Sequence, residues 1–159
     1  MTALLVVGDP ATVGLAVCRR LSAQGSPGTL AWHVTADLRD VADALADIGW
    51  DALLVDGDNE PLSTAAMSHL VQIHGVPDAL VIGVDAAPLI EATLSVATMA
   101  ARHLPEVTVA LTGRQADQAL DLWTPVATGL ELDPQVVSPD RLPEALSHDQ
   151  RHNTTERIA

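Results

Sequence analysis

Four carboxylates, Asp9, Asp56, Asp58 and Asp85, each stand one to three residues beyond a short apolar run of the chain. If those runs are strands of one parallel sheet, the acids lie along its carboxyl edge, where open α/β sheets bind their ligands. Carboxylates gathered there repel one another unless they are protonated, solvated or bridged by a cation. A site with one or two carboxylates and bound water suits Mg²⁺. Taken singly, each acid also reads as a helix N-cap or turn residue: Asp9 precedes Pro10, and Asp58 precedes Asn59. For Asp9 and Asp56 together, both readings stay open.

The other chemistry-bearing residue types are more ordinary in their settings. Cys18, the single cysteine, falls inside a helical stretch beside Arg19 and Arg20 and reads as an inert thiol. His69 sits at the edge of a helix's apolar face, and His74 near its end, where a histidine meets the helix dipole favourably. Neither histidine has metal-ligand spacing to further donors. Trp32, Trp50 and Trp123 read as core or strand-edge fillers. Ser22, Ser63 and Ser138 lie in no nucleophile-elbow pattern.

The elements that must position these residues follow from periodicity. Five continuous apolar runs, Ala3 to Val7, Leu30 to Thr35, Ala52 to Val55, Ala79 to Val84 and Val107 to Thr112, read as strands buried on both faces. Segments of helical period lie between them: Ala11 to Gln24, Leu38 to Ile48 with Asp37 as its N-cap, Leu62 to His74, and Pro88 to Leu104. Gln115 to Trp123 reads as a fifth helix, and Leu130 to Val137 as a short edge strand broken by Pro134. The alternation predicts a doubly wound α/β fold: a mostly parallel sheet of five to six strands in a three-layer sandwich, flavodoxin-like or Rossmann-like. Residues 1–147 form the single domain, and 148–159 a mobile tail. The segment Pro88 to Leu104 has a polar stripe of only Glu91, Ser95, Thr98 and Arg102. Either it packs deeply on the sheet, or its surplus apolar face meets a protein partner, most simply a second copy in a homodimer.

Leu4-Leu5-Val6-Val7-Gly8-Asp9-Pro10, with Gly49-Trp50-Asp51-Ala52-Leu53-Leu54-Val55-Asp56 further on, resembles the receiver domain of two-component response regulators over residues 3 to 123. The resemblance implies that Asp9 is a metal acid, that Asp56 accepts a phosphoryl group, and that the carbonyl of Asp58 is a further Mg²⁺ ligand. The departures are plain: Gly8 stands where an acid is usual, Gly83 or Val84 where a hydroxyl is usual, and no lysine exists to pair with the phosphoryl oxygens. An atypical receiver, or pseudo-receiver, is the form this implies.

A second stretch, Gly8-Asp9-Pro10-Ala11-Thr12-Val13-Gly14-Leu15-Ala16 followed by Arg19-Arg20-Leu21, resembles the cofactor turn of short-chain dehydrogenases. That resemblance implies a cofactor-binding turn at Gly8, Thr12 and Gly14, with Thr12 standing where the family has its middle glycine. Asp9 would bring negative charge toward a pyrophosphate. The family's catalytic Tyr and Lys have no counterpart, because the chain contains neither residue.

Composition closes further routes. The formal charge is −13, from 21 acids against 8 arginines, so nucleic acid and anionic membranes are not expected partners. Without Lys or Tyr there is no Schiff-base lysine, P-loop lysine or tyrosine acid. One cysteine and no basic, apolar leader point to a cytoplasmic protein. Asn153-Thr154-Thr155 matches a glycosylation sequon, which this location makes a chance match. The expectation is therefore a non-enzymatic signalling module resembling a receiver, acting through protein contacts, with at most weak Mg²⁺ chemistry. The alternatives are a degenerate Rossmann-type nucleotide or small-ligand binder and a structural subunit of an assembly.

Overall fold

In the computed structural model, which describes residues 3–33, 38–55 and 60–146, six strands form one parallel sheet with helices on both faces. The order along the chain is β1 (Leu4–Val7), α1 (Leu15–Ser22), β2 (Gly28–His33), α2 (Leu38–Asp47), β3 (Asp51–Val55), α3 (Glu60–His74), β4 (Ala79–Gly83), α4 (Ile90–Ala101), β5 (Thr108–Thr112), α5 (Ala116–Gly129) and β6 (Gln135–Val136). A π-helical turn, Pro10–Gly14, leads into α1, and a 3-10 turn, Ala87–Leu89, leads into α4. The doubly wound α/β fold expected from the alternation of runs is the fold observed.

The inner strands β1, β2, β4 and β5 bury both faces, which is why their residues are mostly apolar without alternation. Leu5, Val7, Leu80, Ile82, Val109 and Leu111 point to the layer holding α3, α4 and α5. Leu4, Val6, Ala79, Val81 and Ala110 point to the opposite layer, against Val17 and Leu21 of α1, Leu45 of α2, and Leu142 and Leu146. Trp123 of α5, 1% exposed, is the largest fully buried side chain. Truncating a residue of this kind to alanine costs about 3–5 kcal/mol.

The helix ends follow local chemistry. Gly25 and Gly49 take positive φ values of 82° and 74° just past α1 and α2, a conformation with little cost only for glycine. Pro125 lies inside α5, beyond the expected end at Trp123. The helix continues because Trp123 and Ala127, one turn apart, are both buried and hold the last turn on the core. In α4, Ile90, Thr93, Val96, Ala97, Ala100 and Ala101 are buried, so deep packing accounts for most of its apolar character. The Thr93 and Thr98 hydroxyls donate to the carbonyls one turn earlier, each at 2.7 Å, which satisfies them in place.

The strand order is β3-β2-β1-β4-β5-β6, the order of the Rossmann fold. Receivers use the flavodoxin-like order 2-1-3-4-5, in which the first strand is flanked by the third. Here β1 pairs with β2 and β4, and β3 forms the sheet edge beyond β2. The resemblance to a receiver is therefore not supported, because the carboxyl ends of β1 and β3 are two strand positions apart. The expected tail, 148–159, lies outside the described residues. Among the described residues, no helix is long and apolar enough to cross a membrane.

Candidate functional site

The point where strand order reverses lies between β1 and β4, whose residues Leu4 to Val7 pair with Ala79 to Ile82. In open α/β sheets the ligand crevice opens at such a point. Here it is bounded by the turn after β1 and the loops after β4 and β5.

Three glycines let these segments close on one another. A Cβ on Gly14 would stand 2.8 Å from the Gly8 carbonyl oxygen and 3.0 Å from that of Asp9. A Cβ on Gly8 would stand 3.0 Å from the Gly83 carbonyl oxygen, and one on Gly83 would stand 3.0 Å from Cγ1 of Val13. Side chains at these positions would push the start of the first helix away from the sheet. The sequence marks Gly8 and Gly14 only as members of a cofactor turn, without this packing role. Gly83 was not assigned this packing role, although a glycine closing the run Ala79 to Gly83 was a visible signal.

The turn itself is closed by Asp9. Its Oδ1 accepts from the Ala11 amide at 3.3 Å, and its carbonyl accepts from the amides of Thr12, Val13 and Gly14 at 3.2, 3.2 and 2.9 Å. The Thr12 hydroxyl donates to the same carbonyl at 3.4 Å. Pro10 carries no N–H. Every amide from Ala11 to Gly14 is thus engaged by Asp9, and the helix's positive end already faces a carboxylate.

Across the crevice, the loops after β4 and β5 are tied together. Val84 donates its N–H to the Thr112 carbonyl at 3.0 Å, and Gln115 to the Val84 carbonyl at 2.9 Å. The Asp85 carboxylate accepts from the Arg114 amide at 2.9 Å, so Asp85 fastens a loop pair. Thr112, fully buried, has an Oγ1 with no hydrogen-bond partner among the described residues, a feature that sequence patterning gave no means to find.

The remaining candidates fall elsewhere. Asp56 and Asp58 lie outside the described residues, as does Asp37. Among the described residues, no group of three His, Cys, Asp or Glu could hold a metal ion, and Asp9 is used as a cap. Cys18 is fully buried, and that burial pushes its thiol up to about 12. His69 is exposed, and His74 Nε2 meets the Asp51 carboxylate at 2.7 Å. Trp50 donates to the Ser26 carbonyl at 3.0 Å, in line with its expected role as a filler.

No protein-family model matches the chain, and no curated protein does. Solved structures do. A short-chain dehydrogenase/reductase from Serratia marcescens superposes with a TM-score of 0.58 at 19% identity, covering 86% of this chain and 73% of that one. The Bacillus cereus enoyl-acyl carrier protein reductase, solved with NADP⁺ and indole naphthyridinone, gives 0.62 at 14% identity over 86% and 71%. A blue fluorescent protein from a metagenomic library, in complex with NADPH, gives 0.61 at 18% identity over 86% and 73%. These likenesses establish a Rossmann-type fold. They also correct the expectation of a non-enzymatic module, since the first two of these structures are reductases. Two of these structures were solved with a nicotinamide dinucleotide, NADP⁺ or NADPH.

The residues present meet one requirement of a dinucleotide turn and fail another. The glycines at 8, 14 and 83 let the turn and the start of the first helix close on the sheet, as a dinucleotide turn requires. The anion position does not fit a pyrophosphate, because the Asp9 carboxylate holds the Ala11 amide and adds negative charge where phosphate oxygens would need positive potential.

Proposed function

We propose that the chain is a Rossmann-type nucleotide-binding protein, degenerate in its phosphate turn, with its ligand over the carboxyl ends of β1 and β4. The observation that carries this reading is the approach of Gly14 to the Gly8 carbonyl, where an added Cβ would stand 2.8 Å away, at the reversal point of a β3-β2-β1-β4-β5-β6 sheet. Retained close packing at that turn, together with the reductase-like fold, favours a nicotinamide dinucleotide as the ligand class. The Asp9 carboxylate makes that binding weak, because a pyrophosphate has to displace it from the Ala11 amide and bear its charge. Any reaction run on a bound dinucleotide uses acid–base groups other than a Tyr–Lys pair, since the chain contains neither residue.

Thermal melts with NADH and NADPH test the reading, because a ligand that binds only the folded state raises the midpoint. The wild type should show a small rise at millimolar dinucleotide, Asp9→Ala a larger one, and Gly14→Asp none. Melts without ligand show whether Gly14→Asp folds. Absence of a rise in both the wild type and Asp9→Ala overturns the proposal.

A further inference from the structure

The outer stripe of α4 is its own complement when read in reverse. On the inner side of the helix, Ile90, Thr93, Val96, Ala97, Ala100 and Ala101 are buried. On the outer side, Glu91, Ser95 and Arg102 are exposed, and Leu94, Thr98 and Met99 are half-buried. Arg102 caps the helix with helical dihedrals and donates its amide to the Thr98 carbonyl at 3.2 Å, so it continues the same stripe.

These outer residues match by chemical type about a point midway between Val96 and Ala97. Glu91 is matched by Arg102, Leu94 by Met99, and Ser95 by Thr98, the two members of each couple lying equally far from that point. A two-fold axis relating two antiparallel copies of α4 at that point sets the matched residues level with each other, the reciprocal contact of an isologous interface. Acid meets base at both ends, and small side chains lie at the centre, where packed helix axes approach to about 8–10 Å. A parallel arrangement would instead set Glu91 against Glu91 and Arg102 against Arg102.

The polar groups of the stripe tolerate being covered. The Thr98 hydroxyl donates to the Leu94 carbonyl at 2.7 Å and accepts from Nε1 of Trp123 at 3.0 Å, so its hydrogen bonds survive the loss of water. Leu122 and Val126 of α5 line one trough with Leu94, Thr98 and Met99 and are 60% and 37% exposed. A second α4 laid on the stripe removes part of that apolar area from water.

We propose that α4 is a homodimer interface: two copies pack antiparallel about a two-fold axis beside Ser95 and Thr98, and Glu91 of each copy pairs with Arg102 of the other. Repulsion between two chains of charge −13 is screened beyond about 8 Å at physiological salt, whereas the two end pairs act at contact. The interface does not depend on the dinucleotide reading, and its test uses neither NADH nor the β1 turn.

Sedimentation velocity of the full chain over a range of concentrations is the experiment, with charge reversal as the probe. The wild type should form a concentration-dependent dimer. Glu91→Arg and Arg102→Glu should each weaken association by about tenfold or more, because each sets like charges level at both ends. The double variant should recover wild-type association. An equimolar mixture of the two single variants should form the dimer that neither forms alone, since it contains two attractive pairs. Glu91→Arg also lowers the net negative charge, so general repulsion predicts stronger association where the stripe predicts weaker. Ser95→Glu, at an exposed central position, is an independent disruption that should give monomers, and thermal melts show that each variant folds. A wild type that stays monomeric at every concentration overturns the proposal. So does a dimer that the single reversals leave unchanged, or one that neither the double variant nor the mixture restores.

Discussion

The Oδ1 of Asp9 lies 3.3 Å from the amide nitrogen of Ala11, so the residue that follows the first glycine of the turn caps the helix that the turn begins. Its own carbonyl receives the next three amides. One residue thus satisfies the donors that a Rossmann turn ordinarily offers to phosphate.

Two effects of opposite sign follow for Asp9→Ala. Loss of the cap should lower the stability of the unliganded protein by about 1 kcal/mol, read as a lower midpoint in urea. The rise in melting temperature on adding NADH should instead grow. A variant less stable alone and more stabilised by ligand is an outcome that a purely structural Asp9 does not produce.

Gly28 carries the Trp50 indole. A Cβ at Gly28 would stand 2.5 Å from Cη2 of Trp50 and 2.8 Å from the Leu4 carbonyl. Trp50 cannot swing away without losing its bond to Ser26 at 3.0 Å. Gly28→Ala should therefore cost about 1–3 kcal/mol by overpacking. Gly129 has open space around it at the end of α5, so Gly129→Ala should stabilise by about 0.4–1 kcal/mol through the unfolded chain. Chemical denaturation of the two variants side by side checks the contrast.

Thr112 buries a hydroxyl with no partner among the described residues. Replacing an unsatisfied buried hydroxyl by a methyl of similar shape removes its desolvation cost, so Thr112→Val should be neutral or stabilising by up to about 1 kcal/mol in urea unfolding. A loss above about 1 kcal/mol would show that the hydroxyl has a partner in solution.

Burial pushes the Cys18 thiol from an ordinary value of 9.0 up to about 12, and the sign of the pH effect follows. The folded state holds the proton more tightly than the unfolded chain, so this contribution to stability is complete below pH 9 and is lost as pH rises toward about 12. Unfolding curves of the wild type and Cys18→Ala should diverge in slope only across that window. The thiol should also react with a disulfide reagent at pH 8 only after unfolding.

Most of the layer structure was legible, because strands buried on both faces must be continuously apolar and helices packed on them must be amphipathic. Ala3 to Val7 and Ala79 to Val84 agree with β1 and β4 to within a residue. Strand order was not legible: the same runs satisfy the flavodoxin-like and Rossmann orders equally, since pairing is decided by contacts far apart in sequence. That ambiguity let Asp9 and Asp56 be read as neighbours. In the structure β2 stands between β1 and β3, joined through pairs such as Leu30 with Ala52. The extension of α5 past Pro125 was hidden for a similar reason. Proline marks a local stop, while the burial of Ala127 that outweighs it is tertiary.

The β1 turn is proposed as a nucleotide site restrained by Asp9. Isothermal titration of NADH into the wild type and Asp9→Ala, at one salt concentration, tests it directly. Removing one unfavourable charge and freeing one amide should tighten binding about tenfold, or about 1.4 kcal/mol. Equal affinities in the two proteins, or tighter binding to the wild type, would contradict the role given to Asp9.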